Sequence, residues 1–414
     1  MAQRTYVGVV SSCGGQPPLD PSKVRPIIGP EEGLEDILPS EIAFWRFIAE
    51  YYLCTVGDVY KMVYPAQKTA VESRKAIKKL SVRTTQEVLP MLDFGKPGKP
   101  LLVNGWNRDA EYEKHISRAL QSGRDVLLLR PGARQESFAT QRELAKLVRG
   151  DSPVLVEGSR SCLFLPFTKL GLVIVDDEHS PFYKRNLSPR YNARDAAVFL
   201  ARIHGAEIIL GSGTPSLESL YNVKTGKYCS LTLPQASKVV PEVVDTLAEL
   251  RKNGMVGERS RILLEAISEV PAKKYLEINS WELTKALGGK IEKYSLVALM
   301  GAEYLLSRND FRADERASQL LEELCHRCRG RLIVQTKSAD HPLFAQGADP
   351  ERLLSERAEF KLPPYTRLVE YRKPDEVREP VRRFFLEKGP DLNKRKQEIL
   401  NSCPPDLIVD VDPV

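Results

Sequence analysis

The sequence predicts an α/β protein built on parallel strands. Three observations carry this expectation. Between residues 101 and 210, short runs are continuously apolar rather than alternating, the pattern of strands covered on both faces. Segments of helical period separate those runs, as in βαβ units. With 42% hydrophobic and 28% charged residues, the chain can bury a core and is not composed for general disorder.

Its 414 residues allow about two to four domains. The formal charge of +6 permits a nucleic-acid partner without requiring one, because local charge decides that. Seven scattered cysteines do not make a disulfide framework. The opening MAQRTYVGVV lacks the basic start and apolar stretch of a signal peptide. No apolar run approaches the roughly 20 residues that span a bilayer. The expectation is a cytoplasmic protein with no membrane partner.

Taken in order, residues 5–10 (TYVGVV) read as a strand, and Pro17, Pro18, Pro21 and Pro26 impose an extended loop. Ser40 is the expected N-cap of a helix through Tyr52, with Ile42, Trp45, Ile48, Ala49 and Tyr52 on one face. That spacing makes Trp45 a core residue rather than a binding surface. A polar helix is expected over 67–80, then a linker at 94–100. Strands follow at Leu101–Val103, Val126–Leu129, Val154–Val156, Leu172–Val175 and Ile208–Leu210, with helices at 109–122 and 193–204. Residues 241–292 read as a helical, charged stretch. Leu296–Met300 and Leu332–Gln335 are two more strands around a helix at 313–325, and a turn-rich tail follows 338.

Chemistry concentrates between Gly158 and Ser219. The strand ending in Asp176-Asp177-Glu178-His179 places carboxylates at the carboxyl end of a parallel strand, where ligands bind in open α/β sheets. Alone this is better read as a solvated acidic turn. The loop GSGTPS (211–216) on the following strand turns two polar loops into one site, with Gly211, Ser212 and Thr214 as candidate nucleotide contacts.

These residues resemble one family, the primosomal protein N′ (PriA) DNA helicases. The matching stretches are GSRSCLFLPF (158–167), LGLVIVDDEH (170–179), YKRNLSPRYNARD (183–195) and GSGTPSLES (211–219). SEIAFWRFIAEYYLCTVGDVYKMVYP (40–65), DFRADERASQLL (310–321), QTKSADHP (335–342) and ERAEFKLPPYTRL (356–368) extend the likeness in patches. The resemblance implies two RecA-like helicase domains at 101–234 and 235–337, the second reduced. It also implies a remnant of an N-terminal 3′ DNA-binding domain at 1–65, a linker at 66–100 and the start of a C-terminal domain at 338–414. The implied cofactors are ATP and Mg, with Asp176 holding the metal. The implied catalytic set is Asp176, Asp177, Glu178 and His179, with Arg327 and Arg329 as finger residues.

The departures are as informative. Where the family carries a phosphate loop ending in Gly-Lys-Thr, this chain has NGWNRDAEY (104–112), and Arg108, Asp109 and Ala110 stand in its place. Asp109 adds repulsion toward phosphate. Asp177 replaces a glutamate one methylene longer. The family's cysteine-rich zinc insertion is missing between 235 and 295. The lone Cys325 and Cys328 leave zinc unexpected, since structural zinc takes four ligands.

In the family the segment 182–195 links DNA contact to ATP turnover. Here it offers Tyr183 and Tyr191 for base stacking, and Lys184, Arg185, Arg190 and Arg194 for phosphates. Arg160 and Ser161 are further candidates for backbone contact. The alternative is that the tyrosines pack inward and Arg194 pairs with Asp195. Three functional readings stay open. One is a DNA-binding protein of replication restart, acting on branched or single-stranded DNA with primosome proteins, its ATPase weak or lost. Another is an active 3′→5′ helicase with a divergent phosphate loop. The third is a non-catalytic scaffold for replication proteins.

Overall fold

The computed structural model describes Gly29 and residues 36–64, 82–84, 98–132, 138–234, 238–307, 310–374 and 380–413. The strand expected at 5–10, the proline-rich loop after it and the helix expected at 67–80 lie outside these residues.

Helix α1 spans Pro39–Tyr51 and α2 spans Val56–Val63. Ser40 is not the cap of α1. Leu38 holds that position, and Pro39 opens the helix where a missing N–H costs nothing. The Glu41 carboxylate accepts the Leu38 N–H at 2.9 Å. Trp45 is buried, as its spacing predicts. Thr55 caps α2 by accepting from the Asp58 N–H, and Asp58 returns the bond.

A seven-stranded sheet follows. Its strands are β1 (Val82–Thr84), β2 (Leu101–Asn104), β3 (Asp125–Leu129), β4 (Val154–Gly158), β5 (Leu170–Asp176), β6 (Glu207–Ser212) and β7 (Cys229–Thr232). The order is β1-β4-β3-β5-β6-β2-β7. All neighbours are parallel except β1, which lies antiparallel on β4. Strands β3 and β5 are buried at every position, which is why Val126–Leu129 and Leu172–Val175 within them are continuously apolar. Helices α3 (Asp109–Gln121), α4 (Phe138–Arg149), α5 (Ala193–His204) and α6 (Leu217–Lys224) connect them. Asn192 caps α5, and Gly205 ends it with a left-handed φ of 61°.

At the end of α5, partial burial and then Arg124 push His204 down to about 4 from an ordinary 6.5. The two outweigh the helix C-terminus, which favours a cation. Between those pH values the unfolded chain binds a proton that the folded chain refuses, so stability falls as pH drops from 6.5 toward 4. Asp125, buried and raised to about 6, acts in the opposite sense below that value. Urea unfolding of His204→Gln at neutral and at mildly acidic pH is expected to show a smaller loss in acid than the parent chain shows.

The region 241–292 is not the uninterrupted helical stretch that its charge suggests. It holds strands β8 (Glu242–Asp245), β9 (Met255–Val256), β10 (Arg259–Ser260) and β11 (Tyr275–Asn279), with helices α7 (Thr246–Lys252), α8 (Arg261–Ser268) and α9 (Leu283–Leu287). With β12 (Leu296–Met300) and β13 (Arg331–Thr336), β8 and β11 form a second, fully parallel sheet in the order β11-β12-β13-β8. Helix α10 (Ala313–Arg327) packs beside it. The chain is therefore α/β with two parallel-sheet lobes.

Beyond lie α11 (Pro342–Ala345), α12 (Pro350–Glu359), β14 (Thr366–Arg372), β15 (Arg382–Glu387), α13 (Leu392–Asn401) and β16 (Ile408–Val411). The three strands form an antiparallel sheet in the order β15-β14-β16. Helix α1 sits between this sheet and the first lobe. Phe47 stacks on Phe199 of α5 at 3.7 Å, while the Tyr51 hydroxyl donates to Asp412 at 2.9 Å. No helix among the described residues is long and apolar enough to cross a membrane.

Candidate functional site

Strands β5 and β6 are parallel neighbours, so their carboxyl ends bring the two polar loops together. The His179 ring meets the Ser212 hydroxyl at 2.7 Å and the Thr214 hydroxyl at 3.3 Å. Burial holds its pKa below the ordinary histidine value. Glu178 accepts from the Ser216 N–H at 2.7 Å, from the Ser216 hydroxyl at 2.9 Å and from Arg194 at 3.2 Å. Glu178, His179, Ser212 and Thr214 are thus bonded to their own protein neighbours. Gly211 is closely approached, since a Cβ there would fall 1.6 Å from the Tyr112 hydroxyl oxygen.

Asp176 is engaged at both carboxylate oxygens. One accepts from Arg108 Nε at 2.9 Å, from Arg108 Nη2 at 2.6 Å and from the Tyr112 hydroxyl at 2.8 Å. The other accepts from Arg130 Nη1 at 2.6 Å. Arg108 also reaches Asp177 at 2.6 Å and the Gly105 carbonyl at 2.8 Å. Arg130, at the end of β3, further binds Glu157 at 2.6 Å and Asp109 at 2.7 Å. Burial opposes the Arg108 charge, but Asp176, Tyr112 and Asp177 outweigh it and hold the guanidinium above its usual range. Asp177 sits at a φ of 46°, which a side chain other than glycine adopts at some cost. Sequence reasoning gave no role to Arg130, Tyr112 or Trp106. The available signals were a basic residue at the end of β3 and an aromatic in a loop expected to be glycine-rich.

The loop from β2 to α3 is filled rather than open. The Gly105 N–H donates to the Ser212 carbonyl at 2.9 Å, so it is committed to the protein. Trp106 lies against Gly213, where a Cβ would fall 2.5 Å from the indole. The same indole stacks on His326 of α10, with centroids 4.0 Å apart and planes at 7°. Trp106 thereby joins the two lobes across their cleft.

The two candidate finger residues part company. Arg327 lines the cleft that also contains Asp177, and it lies 3.7 Å from Glu323. Arg329 is exposed at the entry to β13 and donates to the His326 carbonyl at 3.1 Å. Cys325 and Cys328 are buried, and burial pushes the Cys325 thiol up to about 12 and raises that of Cys328. Such thiols resist becoming the thiolates that bind zinc.

The loop 182–195 packs inward, which corrects the expectation of base stacking. Tyr183 and Tyr191 are each 1% exposed. The Tyr183 hydroxyl donates to the Asp176 and Leu129 carbonyls, and the Tyr191 hydroxyl to the Arg160 carbonyl. Lys184 is buried against Asp410 at 2.8 Å. Arg185 donates to carbonyls of its own loop, at Leu187, Ser188 and Pro189. Arg160 binds the Phe182 and Lys184 carbonyls, and Ser161 meets Ser159 at 2.8 Å. Arg194 pairs with Asp195 at 2.9 Å as well as with Glu178. Arg190 is half-buried. What the loop exposes instead is Phe182 and Leu187.

Residues 1–65 match the family model of the 3′DNA-binding domain (3′BD) of PriA. The chain is 32% identical over 265 residues to the replication restart protein PriA of Rickettsia typhi, covering 55% of this chain and 40% of that protein. It is 42% identical over 123 residues to the PriA of Bacillus subtilis, covering 29% of this chain and 15% of that protein. The chain therefore spans well under two thirds of these curated relatives. Among solved structures, RecG bound to a three-way DNA junction aligns with 65% of this chain and 41% of its own, at 12% identity and a TM-score of 0.32.

Proposed function

We propose that the chain is a divergent member of the PriA family of replication restart proteins, that it binds branched or single-stranded DNA in replication restart and that it does not turn over ATP. The carrying observation is that both oxygens of Asp176 are already held by Arg108 and Arg130. A magnesium nucleotide needs that carboxylate free for the metal or its waters. It also needs open N–H groups and a cation for its phosphates. Here Asp109 and Glu111 occupy the first turn of α3, and the Gly105 N–H is taken. The residues present do not fit Mg-ATP, so no hydrolytic step is assigned to Asp177, Glu178, Arg327 or Arg329. Ser212, Thr214 and Gly211 serve the wiring between the two loops rather than a nucleotide.

The match of residues 1–65 to a DNA-binding domain supports DNA as the partner. The same reading divides the chain into that N-terminal segment, lobes at 101–234 and 235–337, and a C-terminal segment from 338. It places the protein in the cytoplasm with the replication machinery. Among the loop cations, Arg190 remains the one best placed to meet a phosphate. The test is ATP turnover with and without forked DNA, run in parallel with DNA affinity. DNA binding with negligible turnover is expected. DNA-stimulated turnover near or above about 1 s⁻¹, within the usual enzyme range, overturns the proposal.

Zinc is no part of this reading. Elemental analysis after a chelator wash is expected to find none in stoichiometric amount, and one zinc per chain contradicts it.

A further inference from the structure

The antiparallel sheet β15-β14-β16 has two outer edges, and the fold treats them differently. Along β16, Asp410 and Val411 are buried, and Lys184 of the first lobe donates to the Val411 carbonyl at 2.6 Å. Beyond β15 no strand lies among the described residues. Arg382, Arg383, Phe385 and Glu387 are exposed there, Phe385 at 40%. Such an edge is a row of backbone donors and acceptors ready to pair with a further strand.

Which groups face that edge follows from β14. The Asp412 N–H donates to the Leu368 carbonyl at 2.9 Å, so Leu368 turns its backbone toward β16. Backbone direction alternates along an antiparallel strand, so Val369 and Tyr371 turn toward β15. The Tyr371 carbonyl indeed accepts the Val381 N–H at 2.8 Å. The partners of Val369 and Tyr371 are Phe384 and Arg382. Arg383, Phe385 and Glu387 therefore aim their N–H and C=O groups outward. Their side chains share one face of the sheet, while Phe384 and Leu386 pack on the core from the other.

The outward residues are complementary to themselves. Arg383 donates to Glu370 at 3.0 Å, but Glu370 also accepts from Arg372 at 2.7 Å, so two guanidinium groups share one carboxylate. Glu387 has no cationic partner among the described residues. Place a second copy of β15 antiparallel to the first, with a two-fold axis at Phe385. Phe385 then meets its own copy, and the outward backbone groups pair. Each copy's Arg383 stands opposite the other's Glu387, and each Phe384 opposite the other's Leu386. Slipping the register one way sets Arg383 against Phe385 and, further on, against itself. Charge of one sign along an edge discourages pairing. Here both signs flank Phe385, and one register satisfies them.

We propose that β15 joins two copies of this chain into a symmetric dimer, their three-stranded sheets merging into one antiparallel sheet. The contact is isologous, as a two-fold axis requires. One strand pair buries less than the roughly 1,200–2,000 Å² of a standard interface, so the dimer is a weak, reversible one. This inference is independent of the DNA-binding reading.

The test is sedimentation velocity of the full chain over a concentration series. The parent is expected to pass from monomer to dimer between about 1 and 100 μM. Glu387→Arg turns two attractive cross-strand pairs into repulsive ones and is expected to weaken the dimer roughly tenfold. Arg383→Glu is expected to do the same, and an equimolar mixture of the two variants to restore the dimer, because opposite signs face each other again. Phe385→Pro removes an N–H that β14 does not use, so it is expected to abolish the dimer while the fold persists by circular dichroism. Arg383→Glu gives up its bond to Glu370; if it does not fold, Glu387→Arg and Phe385→Pro decide alone. A parent that stays monomeric to about 100 μM overturns the proposal. So does a dimer that neither of those two variants weakens, or a mixture of folded variants that stays monomeric.

Discussion

Arg357→Ala is expected to destabilise the chain by about 3–5 kcal/mol, the usual consequence of leaving a buried partner charge uncompensated. Arg357 is 3% exposed and Glu315 7%. The guanidinium donates to Glu315 at 2.5 Å and to the Pro363 carbonyl at 3.0 Å. The other oxygen of Glu315 accepts the Leu217 N–H at 2.9 Å. One carboxylate therefore ties α6 of the first lobe, α10 of the second and α12 of the C-terminal segment. Nearby, Arg312 pairs with Glu218 at 2.9 Å in the same seam. Denaturant unfolding of the variant is expected to show a lower midpoint, with the two lobes no longer unfolding together. An unchanged midpoint means that the seam contributes nothing.

Arg108→Ala is expected to cost about 3 kcal/mol, the lower end of the same range, because Arg130 still covers one oxygen of Asp176. Arg108→Lys retains a charge but loses the fork that reaches Asp176, Asp177 and Gly105 together, so it should fall between the parent and the alanine variant. Thermal unfolding gives the ranking directly. Neither variant is expected to gain ATP turnover, since the first turn of α3 keeps Asp109 and Glu111. A lysine variant as stable as the parent indicates that Arg108 supplies only charge.

Much of the first lobe was legible because its strands are covered on both faces. Val126–Leu129 and Leu172–Val175 are apolar without interruption, and α5 falls at its predicted bounds between Asn192 and Gly205. The second lobe was harder. Glu242–Asp245 and Tyr275–Asn279 are short and carry charges, so they read as parts of helices until β12 and β13 pair with them. The edge strand Cys229–Thr232 is exposed throughout and gives no burial pattern to read. In the site, adjacency of the DDEH and GSGTPS loops followed from parallel strand order. The capture of Asp176 by Arg108 and Arg130 did not, because those side chains converge from the ends of different strands. The tyrosines of 182–195 misled for a related reason. A basic, aromatic loop suggests a nucleic-acid surface, but Tyr183 and Tyr191 find backbone carbonyls inside the protein.

On the proposed reading, arginines of the chain itself stand where a magnesium nucleotide would bind. Equilibrium titration with a fluorescent ATP analogue, with and without magnesium, tests it most directly. No saturable, magnesium-dependent binding is expected across the micromolar-to-millimolar range usual for enzyme substrates. Saturable binding in that range that requires magnesium and is lost in Asp176→Ala contradicts it.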